Sequence, residues 1–504
     1  MRYLFYAYCF LVLLGGSTPR AWGQTPVQAA RFELALTPSN SDVTVFPLPD
    51  SSAVLLVRKD AFLSSQDNYT FHKLNARLQE RWQHSIKVET QYQEVLSGTE
   101  GNQVYVLFQS NYLPDRLLLV HLDGNRGTSR MVKIDTRVSR DLFDLKVLAG
   151  RVFVTTLVSQ HVTILHINPD TGEFQFLPSV YESLPAQFTF LADSVTKRAE
   201  VILTQTNGLK SRLQVKQLSP HGNLLRTEFV QTESDRNLIS AQISPGDSTS
   251  RILAGTYTLR DLQYSQGLFA TDLTAGVTAT GARKSLRFYD FLAFKHFFDF
   301  MNPVREARLR QRGARRKAAG TPMRLHYRLL MHDMLPTPEG YVLVAEVYYP
   351  RYRYDNVNNA NTALALSNSR QFEGYRTTHA IACGFDKQGN LLWDNTFVLK
   401  DNWSYDLAPT VRERLLPDGR LALAYVIDHK IHYKIIDRTT AAPNDLQVPV
   451  RSNLSDLREK LTDTQQEEVL PWFGSRFLVS GYQHVRPDKG ESRNVFFLNS
   501  LAFE

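Results

Sequence analysis

The chain has 504 residues, and 58 lysines and arginines against 50 aspartates and glutamates give a formal net charge of +8. A chain of this length can bury a large core. Its high counts of Phe and Tyr suit an antiparallel β protein, in which aromatic side chains pack on pleated faces. Only two cysteines are present, which excludes a disulfide-built scaffold.

The first 23 residues predict a signal peptide. Arg2 supplies a positive start, residues 4–14 form an apolar stretch, and Ala21, Trp22 and Gly23 precede a cleavage point at Gln24. The apolar stretch is too short for a transmembrane helix, and no later stretch reaches the required length. We therefore expect an exported protein without a transmembrane segment, either periplasmic or secreted.

Loss of this peptide changes the charge and the thiol content. Removing Arg2 and Arg20 lowers the net charge from +8 to +6. Cys9 lies inside the apolar stretch without the small-residue context of a lipoprotein, so we expect no lipid anchor there. Cys383 is then the only mature thiol, and no internal disulfide can form.

Beyond the signal peptide, a unit of about forty to fifty residues returns along the chain. Each unit alternates apolar strands with turns rich in Gly, Pro and Asp, as residues 415–427 illustrate with a Pro417-Asp418-Gly419 turn between two strands. Fixed-period units of four strands predict an all-β fold, a β-propeller of seven or eight four-stranded blades, with eight favoured. A pair of β-sandwiches is the alternative, although no linker separates two halves.

The two ends of the chain fit a closed ring. The first unit spans about residues 43–88, and the last unit stops after its third strand near Leu501. Residues 31–36 form an orphan strand before the first unit. Pairing this strand with the last unit would close the ring and cover an exposed edge, so residues 24–504 are expected to form one propeller domain.

An insertion at residues 283–322 breaks the two-residue period. Its aromatic part has the three- and four-residue spacing of one helix face, through Phe288, Phe291, Phe294, Phe298 and Met301. A basic part follows that carries Arg305, Arg308, Arg310, Arg312, Arg315, Arg316 and Lys317 and contains the interruptions Pro303 and Gly313. One interpretation is an arm whose Arg312, Arg315 and Arg316 engage an anionic envelope surface. The other is an aromatic face packed on the propeller, followed by a solvated loop.

A polar loop at residues 350–372 follows the sequence Tyr348-Tyr349-Pro350. Tyrosines beside arginines can stack on sugars or bond to a partner, and long loops on rigid scaffolds often carry recognition. A surface strand extension is an equally favoured interpretation. The candidate binding residues here are Tyr349, Arg351, Tyr352, Arg353, Tyr375 and His379.

Metal ligation and catalysis have weaker support. One unit contains His326, His332, Asp333, Glu346, His379 and Cys383, but without a recognised ligand spacing, so we predict neither a metal nor another cofactor. The sequence also lacks the nucleophile elbow, the zinc-protease motif and the phosphate-binding glycine loop. An enzyme is therefore less favoured than a binding protein, but propeller hydrolases draw single carboxylates from separate blades, which leaves the question open.

Four stretches carry a resemblance to a known group of proteins. Residues 372–380 and 385–395, together with residues 345–350 and the aromatic-then-basic insertion, are similar to exported propeller-like proteins of Bacteroidota, a family with no assigned function. The likeness covers roughly residues 286–395. It implies an envelope or secreted location, supplies no catalytic residues, and marks residues 346–394 as the distinctive patch of the family.

Together these observations predict an exported, non-enzymatic binding or scaffold protein of the cell envelope. It would present aromatic and basic loops on a propeller rim to a protein or glycan ligand, and export makes nucleic acid the least favoured partner. The alternative is a glycan-active hydrolase or lyase that uses carboxylates at the propeller channel.

Overall fold

A computed structural model describes residues 25–503, except 60–63, 138–140, 184–186, 207–209, 233, 247–249, 275–285, 355–369, 445, 453–458 and 488–490. The predicted signal peptide and the centre of the polar loop therefore lie outside the described residues. The chain forms eight sheets arranged as the blades of a ring. The eight-bladed propeller is confirmed, and the pair of β-sandwiches is wrong.

The strands are numbered in chain order. A first strand, β1 (Val27–Leu34), precedes blade 1, which contains β2 (Ser41–Pro47), β3 (Ala53–Lys59), β4 (Gln66–Leu74) and β5 (Glu80–Glu89). Blade 2 contains β6 (Tyr92–Glu100), β7 (Gln103–Ser110), β8 (Arg116–Asp123) and β9 (Thr128–Asp135). Blade 3 contains β10 (Leu142–Leu148), β11 (Arg151–Val158), β12 (His161–Ile167) and β13 (Phe174–Ser183). Blade 4 contains β14 (Phe188–Asp193), β15 (Arg198–Thr206), β16 (Ser211–Leu218) and β17 (Leu224–Val230).

The second half of the ring is less regular. Blade 5 contains β18 (Asn237–Ile243), β19 (Ile252–Thr258), β20 (Gly267–Asp272) and β21 (Arg287–Asp290). Blade 6 contains β22 (Arg328–Met331), β23 (Leu335–Pro336), β24 (Gly340–Tyr354), β25 (Arg370–Asp386) and β26 (Leu391–Ser404). Blade 7 contains β27 (Arg412–Leu415), β28 (Leu421–Ile427), β29 (Lys430–Asp437), β30 (Thr440–Ala441) and β31 (Gln447–Pro449). Blade 8 contains β32 (Glu459–Pro471), β33 (Arg476–Pro487) and β34 (Arg493–Ala502).

The core is divided among the interfaces between blades, with one apolar cluster at each of the eight interfaces. Strand β3 shows the pattern, because Val54 and Leu56 pack toward blade 2 while Leu55 and Val57 pack toward blade 8. Successive strand residues point to opposite faces, so a strand buried on both faces becomes continuously apolar. The first strands of blades 2 to 5 contact one another in order, as do those of blades 7 and 8, and these strands therefore lie next to the central channel.

Ring closure follows the predicted pairing. Strand β1 pairs antiparallel with β34, with Phe32 opposite Leu498, and becomes the outermost strand of blade 8. Arg31 secures this strand, since its guanidinium donates to the Arg451 carbonyl at 2.7 Å and to Gln483 Oε1 at 2.8 Å. The strand ends at Leu34, two residues before the predicted end.

The insertion after blade 5 differs from the predicted aromatic helix. Residues 287–290 form strand β21, residues 291–293 form one 3₁₀ turn, and turns continue to residue 301. The one α-helix within the described ranges is α1 (Pro303–Ala318), which contains the basic segment. Asn302 caps it by accepting from the Val304 amide, and Pro303 occupies the first turn, where a missing N–H is tolerated. Pro303 therefore begins the helix instead of interrupting the segment.

The aromatic segment forms part of the core. The side chains of Phe291, Phe297 and Phe298 are fully buried and join residues of blades 5 and 6 in one cluster. Phe297 and Phe298 are adjacent in sequence, so their joint burial requires a segment surrounded on several sides. No helix in the described part of the chain is both long and apolar enough to cross a membrane.

Candidate binding surface at blades 5 and 6

Blade 6 extends beyond its neighbours at the face of the ring where the innermost strands begin, which we call the upper face. Strands β24, β25 and β26 have 15, 17 and 14 residues, the greatest lengths among the described strands. Their upper parts remain paired, with Tyr348 opposite Thr377 and Arg376 opposite Trp403. We call residues 348–354, 370–377 and 400–405 the blade 6 extension. The flanks of the predicted polar loop thus form a strand extension.

One side of the extension carries a row of aromatic rings. Tyr375 lies between Tyr348 and Phe372, with centroid distances of 5.6 and 5.0 Å. Phe372 also contacts Tyr352 at 5.8 Å and Tyr405 at 6.0 Å. Tyr352 is 40% exposed and Tyr405 is 65% exposed, so the outer end of this aromatic row faces solvent. A register shift in β25 opposite Arg351 and Tyr352 brings the ring of residue 372 to the side of residue 375.

The opposite side of the extension has a different character. Trp403 is 50% exposed and lies over Gly374, where an added Cβ would come within 3.0 Å of the indole. Gly374 also has φ of +137°, which other residues rarely adopt. Arg351 and Arg353 are exposed, and Arg351 lies 3.8 Å from Glu373. Tyr349 points inward from this side, and burial raises its pKa to about 12.

A cavity of about 540 Å³ opens on the upper face at the foot of the aromatic row. It lies among the innermost strands of blades 4, 5 and 6, and Tyr348 and Leu407 form part of its wall. Arg328 donates to Gln263 Oε1 at 2.7 Å and lies over the Tyr264 ring at 5.1 Å. The other polar lining side chains include Gln187, Ser240, Thr256 and Ser265. The cavity combines apolar walls with a cation and several groups that can donate or accept hydrogen bonds.

His379 occupies a different environment from the other predicted binding residues. Its side chain is fully buried, stacked on Phe300 at 4.0 Å and edge-on to Phe297 at 5.4 Å. Burial lowers the pKa of His379 to about 3, which keeps the imidazole neutral. The Thr378 hydroxyl lies 3.0 Å from Nδ1. The structure places His379 beneath the extension, within the cluster that supports it.

The predicted arginines lie on helix α1 at the outer rim. Arg312, Arg315 and Arg316 are exposed, and within the described residues they form no ion pair. Arg310 points the other way, since it pairs with Glu306 at 2.7 Å and donates to the Leu292 carbonyl at 2.8 Å. The side of the helix that carries Arg310 packs on the propeller, and the side that carries the three exposed arginines faces solvent. Cations in the last turn also interact favourably with the helix dipole.

The blade 6 extension and helix α1 pack against the same aromatic cluster. Tyr349 of the extension and Leu309 of α1 both pack against the aromatic cluster between blades 5 and 6. Phe300, which precedes the helix, stacks on His379 in strand β25. The structure therefore places Tyr352 and Tyr375 in the aromatic row, whereas Tyr349, Arg351 and Arg353 lie on the opposite side of the same extension. The three helix arginines belong to a separate element fixed to the same cluster.

The suggested metal ligands do not converge as one group. His332 contacts Glu346 at 3.1 Å and Glu413 at 2.9 Å, whereas His326 packs against Tyr264. Although burial disfavours its charged form, Glu413 and Glu346 together raise the pKa of His332 to about 10. Among the described residues, no group of three or more His, Cys, Asp or Glu side chains could hold a metal ion.

A second polar group lies between blades 1 and 2. Thr44 and Glu94 belong to neighbouring innermost strands, and the threonine hydroxyl donates to Glu94 Oε1 at 3.1 Å. Burial, reinforced by the nearby Asp42 carboxylate, raises the pKa of Glu94 to about 7. Arg58 pairs with Asp42 at 2.8 Å and lies close to Tyr69. Two carboxylates from separate blades thus meet beside an arginine and a tyrosine.

Sequence reasoning missed the partners that complete these groups. Tyr405 and Leu407 follow strand β26, and Arg328 begins β22, so they are far in sequence from residues 350–372. The stretch Trp403-Ser404-Tyr405 was the available signal, because two large aromatics end a strand beside a polar turn. The position of Glu94 is set by the blade order, and no local pattern marks it.

Comparison with known proteins finds only distant structural similarity. No protein-family model matches the chain, and no curated protein sequence matches it. Among solved structures, the polysaccharide lyase Uly1 is similar with a TM-score of 0.40 and 8% identity, over 81% of this chain and 90% of that chain. A prolyl endopeptidase gives 0.39 and 9% identity, over 90% of this chain and 54% of that one. A putative 6-phosphogluconolactonase from Bacteroides fragilis is similar with a TM-score of 0.33 and 12% identity, over 80% of this chain and 97% of that chain.

Proposed function

We propose that this chain is an exported binding protein of the cell envelope that holds an acidic glycan on the upper face. The glycan would run along the aromatic row and place one end in the cavity at the channel mouth. The observation that carries this proposal is that the aromatic row and the cavity form one continuous surface, because Tyr348 belongs to the row and also lines the cavity.

The row and the cavity supply complementary contacts for a sugar chain. Aromatic rings offer large, rigid apolar faces at low entropic cost, and tyrosines add a polar end. The exposed rings of Tyr352 and Tyr405 provide such faces at the outer end. A cavity of about 540 Å³ lies within the range of small-molecule sites, and its few convergent polar groups would fix orientation.

The charges favour an acidic ligand. Arg328 lies in the cavity at the foot of the aromatic row, and Arg351 and Arg353 are exposed on the other side of the same extension, where they add to the positive potential around it. A guanidinium binds a carboxylate through two parallel hydrogen bonds, which makes arginine the preferred partner of uronic acids. The exposed arginines of α1 would add long-range attraction that speeds association with a polyanion.

Replacing Tyr352 and Tyr405 by alanine is expected to weaken glycan binding about ten-fold, or about 1.4 kcal/mol. The reason is the loss of both solvent-facing rings of the row. Binding of an oligogalacturonate and of a neutral cello-oligosaccharide of equal length would be measured by calorimetry. The native protein should prefer the acidic oligosaccharide, and Arg328→Met should remove much of that preference.

Trp403→Ala is the matched control, since Trp403 is a similarly exposed aromatic on the opposite side of the same extension. It should bind like the native protein. The variant with Arg312, Arg315 and Arg316 replaced by alanine should bind more weakly at low salt and normally at high salt. Equal losses for the tyrosine pair and for Trp403→Ala, or no binding of either oligosaccharide, would contradict the proposal.

A second candidate function is a glycan-active hydrolase or lyase that uses the carboxylates between blades 1 and 2. It is favoured by Glu94, whose raised pKa of about 7 suits a general acid or base at neutral pH. Arg58, which pairs with Asp42, lies beside it and would stabilise negative charge on a substrate.

Glu94→Gln tests this second function. It should abolish the release of new reducing ends, or of unsaturated products, from acidic oligosaccharides while leaving their affinity at the aromatic row unchanged. Glu100→Gln, on the same strand, is the matched control. Product formation that survives Glu94→Gln would exclude the assignment.

A further inference from the structure

Helix α1 covers a cleft of about 600 Å³ at the outer rim of blade 5, separate from the cavity at the channel mouth. Its floor is formed by apolar side chains of the insertion and of blades 5 and 6, namely Phe288, Leu292, Phe294, Met323 and Leu391. Its roof is the inner side of α1 between Arg310 and Lys317. The volume lies within the range of small-molecule sites.

The helix is seated so that the cleft remains open. Gly313 contacts the floor, where an added Cβ would lie 2.7 Å from Leu292 Cδ1. Ala314 follows with a single methyl group and lines the cleft. The glycine therefore lets the helix approach Leu292 closely, while the small residue beside it leaves space.

The charges around this cleft are unbalanced. Arg236 lines it with its guanidinium 4.6 Å from the centroid of Phe288, and its buried Nε has no hydrogen-bond partner. Lys317 lines the roof, and neither cation forms an ion pair with a described carboxylate. Arg310 is engaged by Glu306 and by two backbone carbonyls. Asp290 also lines the cleft, but its carboxylate accepts bonds from the Leu292 amide and the Gln266 side chain.

We propose that this cleft binds a single acyl chain with an anionic head group. The apolar floor would take the chain, since removing it from water is favourable in proportion to the buried area. Arg236 and Lys317 would pair with the head group, which supplies the charge that they lack. This site is independent of the glycan site proposed above, and the failure of either leaves the other unaffected.

The experiment uses the full mature chain and the fluorescent fatty acid cis-parinaric acid, whose emission rises when it leaves water. Palmitate and lysophosphatidylglycerol would be added as competitors below their micelle thresholds, with methyl palmitate as the uncharged comparison. Displacement by either anion supports the site, and the stronger competitor identifies a free fatty acid or a phospholipid as the source. The proposal would be overturned if methyl palmitate displaced the probe as strongly as palmitate does, or if none of the three competitors displaced it.

Two tryptophan variants locate the bound probe. Ala314→Trp fills the cleft and should weaken binding at least ten-fold, whereas Gln311→Trp lies on the exposed side of the same helix and should change nothing. Arg236→Gln with Lys317→Gln should weaken palmitate about ten-fold and leave methyl palmitate unchanged. The double glutamine variant keeps the proposal testable if Ala314→Trp disturbs the helix. Native-like binding by both Ala314→Trp and the double glutamine variant would refute the proposal.

Discussion

Replacing Arg251 by methionine is expected to lower the free energy of unfolding by about 3–5 kcal/mol. Arg251 lies between blades 4 and 5, where its side chain is almost fully buried. Its Nε and Nη2 donate to the two oxygens of Glu200 at 2.8 and 2.6 Å, and Nη1 donates to Glu228 at 2.8 Å. Removing the cation would leave the fully buried Glu200 with the neighbouring Arg198 as its remaining ion-pair partner.

The cost is expected to come from the unpaired carboxylate and not from the lost side-chain volume. Methionine fills much of the same space, but it cannot compensate a charge removed from water. The double variant Arg251→Met with Glu200→Gln should therefore be more stable than Arg251→Met alone. Denaturant unfolding followed by tryptophan fluorescence would measure both.

Arg226 provides the matched control, because it pairs with the same Glu228 at 2.9 Å but is about half exposed. Arg226→Met should cost no more than about 1 kcal/mol, the usual range for an exposed ion pair. Equal losses for Arg226→Met and Arg251→Met would show that burial does not set the cost.

The second large effect concerns pH. The stabilisation contributed by His332 is expected to be complete below about pH 6.5 and to disappear as the pH rises through about 10. Its Nε2 faces Glu346 and its Nδ1 faces Glu413, so both ring nitrogens donate and the imidazole is charged. The pKa is higher in the folded chain than in the unfolded chain, so folding favours the protonated form.

The expected loss is on the order of 5 kcal/mol, because the pKa rises from about 6.5 to about 10 and each pKa unit corresponds to about 1.4 kcal/mol. It would be measured as the difference in unfolding free energy between the native protein and His332→Gln across this pH range. This difference cancels the contributions of other titrating groups, which are the same in both proteins. Lys434, for example, has its pKa lowered to about 8 by burial, which makes stability rise in the same range.

His221 is the matched control, since it is exposed and His221→Gln should leave the pH profile unchanged. Glu413→Gln removes one of the two carboxylates and should move the loss of stability to lower pH. A constant difference between the native protein and His332→Gln at all pH values would contradict the assignment of a charged His332.

The blade architecture could be predicted from sequence because its cause is local. Each blade buries both faces against its neighbours, so runs such as residues 53–57 are apolar throughout and are separated by turn residues. The helix predicted for the aromatic segment is wrong, because only four of its phenylalanines follow the spacing of one helix face. Phe297 lies outside the proposed helix face and is nevertheless fully buried, which indicates burial on several sides.

The candidate surface could be predicted only in part. Tyr352 and Tyr375, two of the predicted binding residues, lie in the aromatic row. His379 was grouped with them because it follows closely in sequence, but it lies where β25 enters the core. The contacts of His332 with Glu413 and of Thr44 with Glu94 depend on how blades are placed around the ring, and sequence spacing does not carry that information.

The pairing of β1 with β34 also has a consequence in time. Residues 27–34 are synthesised before the first blade, and their partners in residues 493–502 are synthesised only after the other seven blades. Until then blade 8 lacks a strand, and an unpaired edge is a template for association with other chains. Contacts of such large sequence separation slow folding. We therefore expect the interval between the synthesis of β1 and that of β34 to be the time when unpaired strand edges leave this chain most open to association with other chains.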